Sequence, residues 1–167
     1  MDGSQLMADA IVAFGNEIGV ELSVDSDNYC CLAINDDMQL HMKFNEYFNG
    51  IVFYSELGEV PEANQHNTLK YFVHANCNRV SCEEMTFSYD EESKNIGLAS
   101  LLPSNFIQVD SLKKILEKFI TKAEAMRAVM LEFMQGISPV NNTTTAADPS
   151  SSNSAMASAP DNQFMRI

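Results

Sequence analysis

The chain has 167 residues, 46% of them hydrophobic, and a formal net charge of −13 with a sequence pI near 4.4. Such a length suits one domain with a real core plus a tail rather than two domains, and the negative field disfavours nucleic-acid backbones and anionic lipid surfaces as partners. Met1-Asp-Gly-Ser-Gln lacks the basic start of a secretory signal, and no apolar run approaches the roughly 20 residues that span a bilayer, so a cytosolic chain without membrane insertion is expected.

In chain order, Met7, Ile11, Phe14 and Ile18 form one apolar stripe, with Gly19 placed as a left-handed terminator, so a helix is predicted over about Ser4–Ile18. The stretch Tyr29–Leu57 is the clearest in the chain and predicts a three-stranded meander. Met38, Leu40, Met42 and Phe44 alternate with Gln39, His41 and Lys43, the period of a strand. Asp36-Asp37 and Asn49-Gly50 supply the turns. The flanking runs Tyr29–Ile34 and Ile51–Tyr54 are apolar at nearly every position, which predicts burial of both their faces. Pro61 ends the third strand and suits the first turn of a second helix, over about Glu62–Asn76. That helix crowds Leu69, Tyr71, Phe72 and Val73 into about one turn.

Met85, Phe87 and Tyr89 alternate as a fourth strand, and Ile96, Leu98, Ser100 and Leu102 as a fifth, stopped at Pro103. From Gln108 to Ile137 the residues Val109, Leu112, Leu116, Phe119, Ala123, Met126, Met130, Phe133 and Ile137 recur at intervals of three and four. A long helix laid across the sheet explains this better than a coiled coil, because Lys113, Lys114, Lys118 and Lys122 lack flanking partners of opposite sign. Two units follow: a domain over residues 1–137 and a Ser/Thr/Asn/Ala-rich tail over 138–167, expected to be disordered. The tail ends in Asn162-Gln-Phe-Met-Arg-Ile167, where apolar and cationic residues return. Phe164, Met165 and Ile167 are either a chance apolar end on a disordered tail, the simpler reading, or a linear element that covers apolar surface or docks on another protein. The fold class is α+β: helix, antiparallel meander, helix, two strands, long helix.

Chemistry is sparse. Asp25, Asp27 and Asp36 match a calcium loop poorly, since Cys30 stands at the turn glycine and Asp36 replaces the bidentate glutamate. His66, His74, Cys77 and Cys82 lack zinc-finger spacing. Cys30, Cys31, Cys77 and Cys82 are expected as reduced thiols. Glu83-Glu84 and Glu91-Glu92 flank strands as a solvated rim. No phosphate loop or nucleophile elbow is present, so neither an enzyme nor a cofactor is expected.

The element order, Phe14-Gly-Asn-Glu-Ile-Gly19, the turn Glu56-Leu-Gly-Glu-Val-Pro61 and Ala75-Asn76 at the close of the second helix together resemble the class I chaperones of bacterial type III secretion, the CesT/Tir-chaperone-like family. The resemblance covers about Leu6–Phe133. It departs in the polar first half of the second helix and in Met126, where an aromatic residue is often found. It implies a bacterial cytosolic homodimer that binds the N-terminal segment of effector proteins and keeps it extended for secretion without ATP hydrolysis. The secretion ATPase or export apparatus is a further partner that the resemblance allows.

An uncovered apolar meander fits capture of an extended or helical segment, and methionine supplies adaptable contact area. Effector contacts are expected at Met7, Phe14, Tyr29, Cys31, Leu40 and Met42, each of which could instead belong to the core. Dimer contacts are expected at or behind Leu69, Phe72, Val73, Met85 and Phe87. The rival readings are a small-molecule-binding or enzymatic α+β domain and a structural dimerisation module.

Overall fold

Asp2 caps the first helix by accepting the Ser4 amide, and Gly19, at φ 72°, closes it, so α1 spans Gly3–Ile18. This computed structural model describes residues 2–35, 37–77, 85–137 and 139. Asp36, Cys82, Glu83, Glu84 and the tail segment 162–167 lie outside them. The meander follows as β1 (Tyr29–Ile34), β2 (Met38–Asn45) and β3 (Gly50–Glu59). Its turns use Asn35 and Asn49 at positive φ, where the short amide side chain tolerates the left-handed region. The segment expected as one helix from Glu62 divides into a 3-10 turn at Glu62–Asn64 and α2 over Gln65–Cys77. Then come β4 (Thr86–Tyr89), β5 (Asn95–Pro103), a 3-10 turn at Ser104–Phe106 and α3 (Val109–Met134).

The five strands form one antiparallel sheet in the order β1-β2-β3-β5-β4. The alternation read from the sequence is realised in β2, where Met38, Leu40, Met42 and Phe44 are buried and Gln39 and Lys43 are exposed. Across the strands the same face carries Cys30, Ile51, Phe53, Leu57, Ile96, Leu98 and Leu102, all buried. The apolar runs of β1 and β3 depart from the expectation of two covered faces. Cys31 and Ala33 are exposed and Val52 and Tyr54 half-buried, because both long-range helices, α1 and α3, pack on the other side.

α3 lays Leu112, Leu116, Phe119, Ala123, Met130 and Phe133 against β3 and β5, with the Phe119 ring 6.3 Å from that of Phe53. Arg127 fastens it to the β1–β2 turn by donating to the Asp37 carbonyl and carboxylate, each at 2.7 Å. α2 covers the β4 edge. Phe72 stacks edge-on against Phe87 at 5.0 Å, and Tyr71 meets Phe133 at 5.6 Å. The Asn76 amide donates to the Phe87 carbonyl and accepts the Phe87 amide, both at 2.8 Å, so one side chain completes the backbone pairing of β4.

Phe119 is fully buried where helix and sheet meet. Phe119→Ala is expected to lower stability by about 3–5 kcal/mol, the usual cost of an unrelaxed aromatic cavity. A urea midpoint that hardly moves would contradict this placement of α3.

Candidate functional site

Two features of the sheet are left open by the described residues. The first is the outer edge of β1, which pairs with β2 alone among the described residues. Tyr29-Cys-Cys-Leu-Ala-Ile34 carries no charge and no proline. Asp25 takes up the amide and carbonyl of Tyr29, each at 2.9 Å, and from Cys31 onward the edge presents N–H and C=O groups with no charge or proline to discourage strand addition. Cys30 is buried, but Leu32 and Ile34 on the helix-covered side are only half-buried, so the apolar layer stays incomplete along this edge.

The second feature is the sheet face turned away from α1 and α3. The register sets Tyr29 and Cys31 on β1 opposite Lys43 and His41 on β2, and His41 opposite Tyr54 on β3. Tyr29, His41 and Tyr54 form a row of rings, with centroids 6.0 and 6.1 Å apart. The Tyr29 hydroxyl and His41 Nδ1 share a hydrogen bond of 2.7 Å. The row ends over β5, where a Cβ on Gly97 would come within 2.4 Å of the Tyr54 ring. Glycine is needed there so that the tyrosine can lie across the strand.

The electrostatics describe binding surface rather than reactive groups. A hydrogen bond with Cys31, then burial, raises the Tyr29 pKa above its ordinary value. Burial, then the charge of Glu56, raises that of Tyr54. The Cys30 thiol is pushed up by burial and by neighbouring Cys31. All three stay protonated near neutral pH, since each shift moves the group away from its charged form. Asp25, considered for calcium, instead caps a turn by accepting the Asp27 and Tyr29 amides at 2.9 Å. Among the described residues no three His, Cys, Asp or Glu side chains are grouped to hold a metal ion.

The expected effector contacts separate into two sets. Met7, Phe14, Leu40 and Met42 are core residues on the covered face, with Leu40 and Met42 at 0% exposure. They present no surface to a partner, and polar replacements there are expected to unfold the domain. Tyr29 and Cys31 sit on the open face beside the free edge. The dimer candidates separate likewise. Phe72, Met85 and Phe87 are buried within the domain, Leu69 is half-buried, and Val73 points outward at 63% exposure. Sequence reasoning did not find His41, Tyr54 or Gly97. The alternation in β2 puts His41 opposite the core, but the row requires knowing that β5 lies beside β3.

A family model described as the Tir chaperone protein (CesT) family matches residues 9–127. No match is found among curated protein sequences. Among solved structures, a chain of the ExsC–ExsE complex superposes with a TM-score of 0.68 at 13% identity, covering 78% of this chain and 97% of that one. A chain of the HopA1–SchA chaperone–effector complex gives 0.64 at 13% identity, covering 75% and 95%. A chain from the structure of the Yersinia pestis type III secretion chaperone SycH with a fragment of YscM2 gives 0.58 at 16% identity, covering 71% and 98%. At such identities the structures establish a shared fold.

Gly97→Ala tests the geometry of the ring row. The added methyl must displace Tyr54, at an expected cost of about 1–3 kcal/mol, typical of overpacking. The Tyr54 ring resonances should move with it. A variant of unchanged stability and unchanged Tyr54 environment would show that the ring does not lie over β5.

Proposed function

The chain belongs to the Tir chaperone protein (CesT) family, and on that premise we propose that it serves as a cytosolic chaperone of bacterial type III secretion that holds the N-terminal chaperone-binding segment of an effector in extended form. The family is one of chaperones, not enzymes. The observation that carries the proposal is the uncharged edge of β1, which from Cys31 onward has no second strand beside it among the described residues. An extended segment added there gains main-chain hydrogen bonds at Cys31 and Ala33, beyond the Tyr29 groups held by Asp25, and its alternate side chains fall on two prepared surfaces. One set completes the layer of Leu32 and Ile34; the other lies beside Tyr29, Cys31 and Ala33. Capture through main-chain bonds needs no particular side-chain sequence, which suits a chaperone, and holding a segment as a strand keeps it from folding. The fold shared with a chain of a chaperone–effector complex supports this reading.

The same proposal includes a homodimer formed through the outer side of α2, where Val73 is exposed beside half-buried Leu69. A specific interface needs about 800 Å² from each partner, more than this helix face alone offers, so the flank of β4 has to contribute. Presentation of the loaded chaperone to the secretion ATPase or export apparatus completes the reading.

Cys31 and Ala33 are exposed, so lysine at both positions should change stability by no more than about 0.5 kcal/mol. Charges on the strand should nevertheless weaken capture of an effector N-terminal segment by about tenfold or more, as edge lysines discourage pairing. Unchanged affinity would place the effector elsewhere. For the dimer, Val73→Glu should yield a folded monomer by light scattering. Phe72→Glu should unfold the chain instead, because Phe72 is 2% exposed against Phe87. A folded Val73→Glu dimer would remove α2 from the interface.

A further inference from the structure

At the end of the sheet where α3 begins, Met85, Leu101, Leu102, Phe106 and Ile115 line a groove of about 590 Å³. That volume lies in the range of pockets that enclose whole ligands. Phe106 is 57% exposed and Leu101 39%, so large apolar side chains stand in water along it. Lys114 and Lys118 flank the groove, and neither has an ion-pair partner among the described residues. Glu117 lies between them in sequence. The groove lies beyond the point where β4 stops pairing with β5, at Ala99, and on the far side of the sheet from the β1 edge.

We propose that this groove is the docking site of the chain's own segment 161–167, with Phe164 and Met165 inserted among Leu101, Phe106 and Ile115. Three observations select this occupant. The first is composition: between residues 141 and 163 the sequence has one large apolar residue, Met156, and no cation, and then Phe164, Met165, Arg166 and Ile167 come together. The second is charge. Asp161 precedes the apolar residues and Arg166 follows Met165, an order of signs that can meet Lys114 or Lys118 on one side and Glu117 on the other. An acidic protein of net charge −13 offers few such cationic places to an aspartate.

The third is reach. From Met134 back to Ile115 along α3 is 19 residues of helix, about 28 Å at 1.5 Å per residue. The 27 residues from Ile137 to Phe164 have, as an unconstrained chain, an r.m.s. span of about 28 Å. Local concentration is highest when these two lengths agree, and it then reaches about the millimolar range. A segment that would bind weakly as a separate peptide is therefore mostly docked when tethered.

The sequence contains no tryptophan, so Phe164→Trp in the full chain provides a single reporter. The expected result is blue-shifted emission with reduced acrylamide quenching, unchanged on dilution. Phe106→Asp should abolish both effects, and since Phe106 is largely exposed the fold should survive. Lys114→Glu with Lys118→Glu should weaken them. Val73→Glu on α2 should leave them intact. Emission typical of exposed indole, or a blue shift that survives Phe106→Asp, would overturn the assignment. A shift lost on dilution would overturn it too, by showing contact between copies. No effector is present in these measurements, so failure here leaves the chaperone reading as it stands.

Discussion

The packing of α3 across β3 and β5 is the constraint on which the rest of the structure depends. Its six inward side chains meet Phe53 and its neighbours, and Arg127 ties its second half to the turn between β1 and β2. With α1 alongside on the same face, every long helix stands on one side of the sheet. The opposite face and most of the first edge strand are then left without cover from the described residues. A half-covered antiparallel sheet is stable in water because its open face can be polar or aromatic while the other forms the core. Here the open face carries Gln39, His41 and Lys43 on β2, next to a β1 that has no charge at all.

The contrast between β1 and β4 gives the functional argument its force. Both end the sheet. At β4, α2 packs alongside and Asn76 satisfies the Phe87 backbone at both its amide and its carbonyl. At β1 Asp25 does the same for Tyr29, accepting its amide and donating to its carbonyl, but beyond it, at Cys31 and Ala33, no such closure occurs among the described residues, and the half-buried Leu32 and Ile34 leave the apolar layer unfinished. Among the described residues one edge is closed by a helix and the other is closed only at its first residue. An edge left open would ordinarily invite aggregation. A net charge of −13 opposes that by repulsion between copies, while an effector segment can still add to the strand.

Much of this was legible in the sequence. The stripes of α1 and α3, the alternation in β2 and the turn residues Asn49 and Gly19 fixed the elements and their order, because each reports a local period or a local backbone requirement. The face on which a uniformly apolar strand is covered was not legible. Tyr29–Ile34 and Ile51–Tyr54 have no alternation to read, and the choice of face is made by α3, remote in sequence. For the same reason Leu40 and Met42 looked equally suited to core and to contact, while the structure puts them at 0% exposure. α2 begins later than expected because Glu62–Asn64 adopt the tighter 3-10 turn after Pro61. The row from Tyr29 to Gly97 needs β5 beside β3, a pairing of strands that are separated by α2 and β4 in the chain.

The account stands or falls on strand addition at β1, and contacts between backbones across that edge are its most direct test. In a complex of the full chain with an effector N-terminal segment, nuclear Overhauser effects should connect α-protons of the segment with amides of Cys31–Ile34, and the outward amides of Cys31 and Ala33, unlike that of Tyr29 which Asp25 already holds, should become slow to exchange. A complex of normal affinity in which those amides exchange as in the free chain, with no contact from the segment to β1, would contradict it.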